Sequence, residues 1–168
     1  MQVAGKQVSD KSILIAEDSR EMARIVRSLL ASLGFQDIDE VADGATALSK
    51  LKKRHYDLLI SDIHMEPMNG IELVSELRAD DALAAMHVIV MSGSGEETKV
   101  LQARDVGVDA YILKPFSVAT LKRIVGGVLT REPKKVERAA RSGAKGGRRS
   151  EDAAPQQVPS PELGTIRL

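Results

Sequence analysis

The chain has 168 residues, of which 43% are hydrophobic, and its 24 Lys+Arg balance 24 Asp+Glu, so one domain with a packed core is expected. No apolar run reaches membrane-spanning length, and the absence of cysteine excludes disulfides, thiolate metal sites and cysteine nucleophiles. The aromatic set, Phe35, Tyr56, Tyr111 and Phe116, is too small for a platform on which single-stranded nucleic acid would stack.

The first twelve residues, MQVAGKQVSDKS, lack the apolar stretch of a secretory signal, so a cytoplasmic location is expected. Charge is unevenly placed along the chain. Residues 1–130 carry 15 Lys+Arg and 19 Asp+Glu, residues 131–150 carry 8 and 2, and residues 151–168 carry 1 and 3. The basic arm holds few large apolar residues to offset its ordering entropy, so 131–168 reads as a disordered tail and 1–10 as a flexible start.

Between 11 and 130, short apolar runs alternate with amphipathic segments. SILIAED reads as a buried strand ending in acids. The helix after it places Met22, Ile25, Val26, Leu29, Leu30 and Leu33 at helical spacing, with Ser19 as N-cap and Gly34 as its stop. DIDEVAD is a weaker second strand, with its Asp37 and Asp39 read as solvated. GATALSKLKKRH is a second helix with Ala45, Leu48 and Leu51 on one face. DLLISD and NGIELVSELRAD give a third strand and helix. MHVIVMS and GEETKVLQARDVG give a fourth pair. DAYILK and SVATLKRIVGGVLT give a fifth, the last helix starting at Ser117. Five strand–helix repeats with near-continuous apolar strands predict an α/β fold, a doubly wound parallel sheet covered on both faces.

In such sheets ligands bind beyond the carboxyl ends of the strands. The polar residues there are Glu17 and Asp18 after the first strand, Asp62 after the third, Ser92 after the fourth and Lys114 after the fifth. Three clustered carboxylates repel one another unless a cation joins them, and an incomplete oxygen-only shell suits Mg²⁺. One carboxylate can instead attack a phosphoryl group, whose oxygens the metal, Lys114 and Ser92 would then neutralise. Singly, each residue reads as a solvated strand end; five complementary ends at one edge do not.

The stretch from 11 to 130 resembles the receiver domain of two-component response regulators, the family of the chemotaxis response regulator. The carriers are the acidic pair ED at 17–18, D-x-x-M-x-x-M-N-G at 62–70, MSG at 91–93 and YILKPF at 111–116. The resemblance implies a flavodoxin-like sheet of strand order 2-1-3-4-5. It implies Asp62 as phosphoacceptor, and Mg²⁺ held by Glu17, Asp18, Asp62 and the backbone carbonyl of His64. Lys114 would bind the phosphoryl group ahead of a bond to Pro115 that is typically cis. Ser92 and Tyr111 would be the switch residues, changing the face made by the fourth helix, fifth strand and fifth helix. The implied partners are a histidine kinase or histidine phosphotransfer protein and a downstream protein target, with the chain a monomer or a phosphorylation-dependent dimer.

One departure concerns Glu66, which stands where the family usually has proline, with Pro67 after it. The expected role is a stand-alone, non-enzymatic phosphorylation-dependent switch. The alternatives are a relay intermediate or phosphate sink, a Mg²⁺-dependent phosphatase of the haloacid dehalogenase type, and a nucleic-acid-associated adaptor acting through 131–150. The phosphatase reading wants a second aspartate two residues after the nucleophile, where this chain has His64. Met65 and Met68 read as packing residues, since no cysteine or second nearby histidine joins them in a soft-metal site. His55 and His87 read as structural or solvent-facing at the opposite edge.

Overall fold

The computed structural model describes residues 2–3 and 6–133; the expected tail lies, from residue 134 on, outside the described residues. Five strands, β1 (Ser12–Ala16), β2 (Asp37–Val41), β3 (Leu58–Asp62), β4 (His87–Ser92) and β5 (Ala110–Leu113), form one parallel sheet of order β2-β1-β3-β4-β5. The helices are α1 (Arg20–Ser32), α2 (Gly44–Lys53), α3 (Gly70–Ala79), α4 (Glu97–Val106) and α5 (Val118–Leu129). Ahead of them, Gln2–Val3 pairs antiparallel with Lys6–Gln7, and a single 3₁₀ turn covers Val8–Asp10.

Strand periodicity divides the core in two. Ile13, Ile15, Leu58, Ile60, Ile89 and Met91 face the layer of α1 and α5, where they meet Val26, Leu30, Leu121 and Val125. Their neighbours Leu14, Ala16, Leu59, Val88 and Val90 face the other layer, meeting Leu51, Leu73 and Leu77. Every residue of β1, β3 and β4 is buried, whereas the edge strands β2 and β5 are mostly half-buried. Central strands covered on both faces must be apolar on both, which is why their sequences run without alternation.

Helix starts follow local chemistry. The Ser19 hydroxyl accepts from Met22 N–H, Asp43 from Thr46 N–H and Ser117 from Thr120 N–H. Asn69 and Glu72 form a reciprocal capping box on α3. Each such cap contributes about 1 kcal/mol. Helix α4 has no side-chain cap, and Ala103 is its one buried residue. Gly34 (φ +100°) and Gly107 (φ +89°) close α1 and α4 in the left-handed region.

The edge away from the strand ends is tied by two aspartates used alike. Asp57, just before β3, accepts from Ser12 N–H at the start of β1, at 2.9 Å. Asp109, just before β5, accepts from Val88 N–H near the start of β4, at 2.8 Å. Arg78 lies against the second of these. Its guanidinium donates to the carbonyls of Ala84, Met86 and Gly107 at 2.8–3.1 Å and sits 3.5 Å from Asp109 Oδ2. Burial lowers the Arg78 pKa, and the Asp109 charge opposes that shift. His87 is buried beside the same aspartate, 3.9 Å away, while the His55 side chain is 81% exposed.

Asp37 and Asp39 are ion-paired, not simply solvated. Arg54 bridges both, Lys50 is 3.4 Å from Asp39, and the buried Tyr56 donates its hydroxyl to Asp39. Burial together with that bond pushes Tyr56 up to about 12, and the same bond holds Asp39 below the usual carboxylate range. The partners come from the end of α2, which lies against β2, and from the segment just after it, a pairing that the local sequence does not announce.

Candidate functional site

From β1 the chain passes through α1 to β2 on one side, then crosses back through α2 to β3 on the other, so a crevice opens at the carboxyl ends of β1 and β3. Glu17 and Asp18 follow β1 directly, and Asp62 is the last residue of β3. Asp62 pairs in register with Met91 of β4, and Ser92 of β4 with Leu113 of β5, which brings Lys114 alongside. The Lys114 backbone N–H donates to Ser92 O at 2.8 Å. The bonds Glu66–Pro67 and Lys114–Pro115 are both cis.

Glu17 and Asp62 are each 3% exposed, while Asp18 points outward. Lys114 Nζ lies 3.0 Å from Asp62 Oδ1 and donates to Glu17 Oε2 at 3.2 Å. Glu17 Oε1 accepts from Ser19 N–H at 3.1 Å. Burial raises the Glu17 pKa; the Ser19 N–H opposes this and the Asp62 charge adds to it. Burial alone would lower the Lys114 pKa, but its two carboxylate partners outweigh burial and raise it. The ammonium is therefore held in its charged form.

The carboxylates of Glu17, Asp18 and Asp62 offer oxygens all within 4.8 Å of one another. Asp62 Oδ1 is ion-paired to Lys114 yet takes no aligned hydrogen bond from any described donor. A buried carboxylate oxygen left without such a bond, among oxygen-only donors, fits a hard divalent cation such as Mg²⁺.

The expected switch residues are linked through one loop. Ser92 is fully buried, and its hydroxyl accepts from Ser94 N–H at 3.1 Å. The half-buried Tyr111 donates its hydroxyl to Ser94 O at 2.9 Å. One residue, Ser94, thus joins the end of β4 to β5. The loop at the end of β3 is held close by Gly70, where a Cβ would lie 2.2 Å from Asp62 O. Met65 is buried in the core and Met68 packs against it, as expected of packing residues. The His64 ring is exposed and lies 3.4 Å from Lys99 Nζ of α4. That contact was not foreseeable from either residue's local sequence, because it depends on where α4 crosses the loop.

The family model for the response regulator receiver domain matches residues 13–126. The chain belongs to that family. This receiver domain is 40% identical over 119 residues to the chemotaxis protein CheY-3 of Vibrio cholerae, an alignment covering 71% of the chain and 92% of that relative. It is 35% identical over 119 residues to the chemotaxis protein CheY of Pseudomonas aeruginosa, covering 71% and 96%. Among solved structures it is similar to the receiver domain of sensor histidine kinase PA1611 from Pseudomonas aeruginosa PAO1. That match has 25% identity and a TM-score of 0.67, covers 72% of this chain and 98% of the other, and the other holds a magnesium ion in its active site cleft. The receiver domain is thus of the two-component class with the flavodoxin-like fold. No helix among the described residues is long and apolar enough to cross a membrane.

Proposed function

We propose that this receiver domain is a phosphorylation-dependent switch in which Asp62 accepts a phosphoryl group from the phosphohistidine of a histidine kinase or a histidine phosphotransfer protein. The observation that carries the reading is the pairing of a buried Asp62 with Lys114 at 3.0 Å, beside Glu17 and Asp18. A carboxylate oxygen of Asp62 bonds to phosphorus as the P–N bond breaks, and the imidazole leaves with the electron pair. Glu17, Asp18, Asp62 and the His64 backbone carbonyl would hold Mg²⁺, which when bound supplies charge neutralisation on the phosphoryl oxygens.

Lys114 neutralises a second oxygen from a position it already occupies, which costs little reorganisation. Ser92 supplies a hydroxyl to a third. In swinging toward it Ser92 leaves the Ser94 N–H, and Ser94 in turn carries the Tyr111 hydroxyl on its carbonyl. The local charge change thereby reaches β5 and the face it shares with α4 and α5, where a downstream protein docks. The chemistry is self-directed, with no turnover of an external substrate, and the expected setting is the cytoplasm.

The test is uptake of label from acetyl phosphate with Mg²⁺. One phosphoryl group per chain, stable to mild acid loss of protein fold but released by hydroxylamine, is the expected result. Label that survives hydroxylamine would mark a phosphoester instead and contradict the reading.

A further inference from the structure

The mouth of the site carries a carboxylate that the chemistry above leaves unused. A cleft of about 600 Å³ is lined by Asp18, His64, Glu66, Asn69 and Glu72, so Glu66 shares a cleft with Asp18, whose carboxylate lies within 4.8 Å of that of Asp62. The other acids there are committed: Asp18 belongs to the cation-binding set, and Glu72 accepts from Asn69 N–H at 3.0 Å in the capping box. Glu66 is exposed and has no hydrogen-bond or ion-pair partner among the described residues. Nothing in the packing requires a charge at this position, since its neighbours Met65 and Met68 supply the core contacts. Lys114, the cation that would attract a phosphate, is itself neutralised by Glu17 and Asp62.

We propose that Glu66 selects the phosphodonor: its charge slows the entry of free, multiply anionic donors and leaves Asp62 to a donor delivered on a protein. Like charges meeting in a wet cleft repel weakly, and the repulsion scales with the donor's charge. Acetyl phosphate enters as a dianion and phosphoramidate with a net single negative charge. For charges passing within roughly 10 Å, in water-like dielectric and at low ionic strength, removing one carboxylate should speed the first about 4-fold and the second about 2-fold. The inference rests on Asp62 being the acceptor.

The experiment compares phosphorylation rates with acetyl phosphate and phosphoramidate in the full chain, Glu66→Gln and Glu66→Lys. In each reaction the bond from phosphorus to an Asp62 oxygen forms as the bond to acetate or ammonia breaks. The acetyl phosphate to phosphoramidate rate ratio should rise about 2-fold in Glu66→Gln and about 4-fold in Glu66→Lys. It should return toward the starting ratio near 1 M salt, where the Debye length falls to about 3 Å. A ratio unchanged in both variants, or both donors altered equally and without salt dependence, overturns the proposal while leaving Asp62 as acceptor. No label on the unsubstituted chain from either donor overturns both.

Discussion

Replacing Lys114 by Met should slow phosphoryl transfer to Asp62 by about two to three orders of magnitude. The side chain is the one cation of the site among the described residues that touches both buried carboxylates, at 3.0 and 3.2 Å. Methionine keeps most of the stem's volume, so lost packing is a minor part of the effect. The rate should fall for every donor alike, because the missing charge serves the transferring group and not the leaving group. Stability should fall too, since Glu17 and Asp62 are left facing each other with their burial uncompensated. The Lys114 side chain is partly solvated, at 17% exposed, so the loss should be about 2 kcal/mol, below that for a fully buried pair. Saturating Mg²⁺ should restore part of that loss if the carboxylate cluster holds it, because a ligand of the folded chain alone stabilises it. Single-turnover kinetics with denaturant unfolding, with and without Mg²⁺, measure both effects. A Lys114→Met chain that transfers at the original rate would remove the ammonium from the chemistry.

Arg78→Met should destabilise the fold by about 3–5 kcal/mol while leaving the residues around Asp62 intact. The guanidinium holds three carbonyls from two separate segments: Ala84 and Met86 in the turn between α3 and β4, and Gly107 at the end of α4. Removing it leaves those carbonyls short of a donor and takes a buried cation from Asp109, whose side chain is 4% exposed. The Asp109 bond to Val88 N–H persists and sets a lower bound on what is retained. Equilibrium unfolding in urea should show a lower midpoint with an unchanged slope, because the unfolded chain exposes the same surface. A midpoint shift worth under about 1 kcal/mol would show that the carbonyl contacts carry little net energy.

The juxtaposition of most candidate site residues was legible because a parallel sheet turns strand ends into neighbours. Asp62, Ser92 and Lys114 are far apart in sequence, yet each follows an apolar run, and the register of three adjacent strands brings them to one edge. The caps at Ser19 and Ser117 were equally local matters. What the sequence concealed depends on side-chain direction and on long-range crossing. In the pair Glu17–Asp18, the first side chain is buried against Lys114 and the second is exposed, and the letters alone do not order them. Arg78 sits on a helix like any exposed cation; only the 80–86 turn and the end of α4 together surround it with carbonyls. Asp37 and Asp39 looked solvated because Arg54, Lys50 and Tyr56 reach them from α2 and the segment after it. The link through Ser94 was hidden for another reason: a backbone N–H and carbonyl make it, so its side chain gives no sign.

Chemical mapping decides whether Asp62 carries the phosphoryl group. The phosphorylated chain, treated with borohydride, converts an aspartyl phosphate into homoserine, which peptide mass spectrometry places on one residue. That assignment calls for homoserine at position 62 and no label on Asp62→Asn. Homoserine at position 18, or label retained by Asp62→Asn, would contradict it.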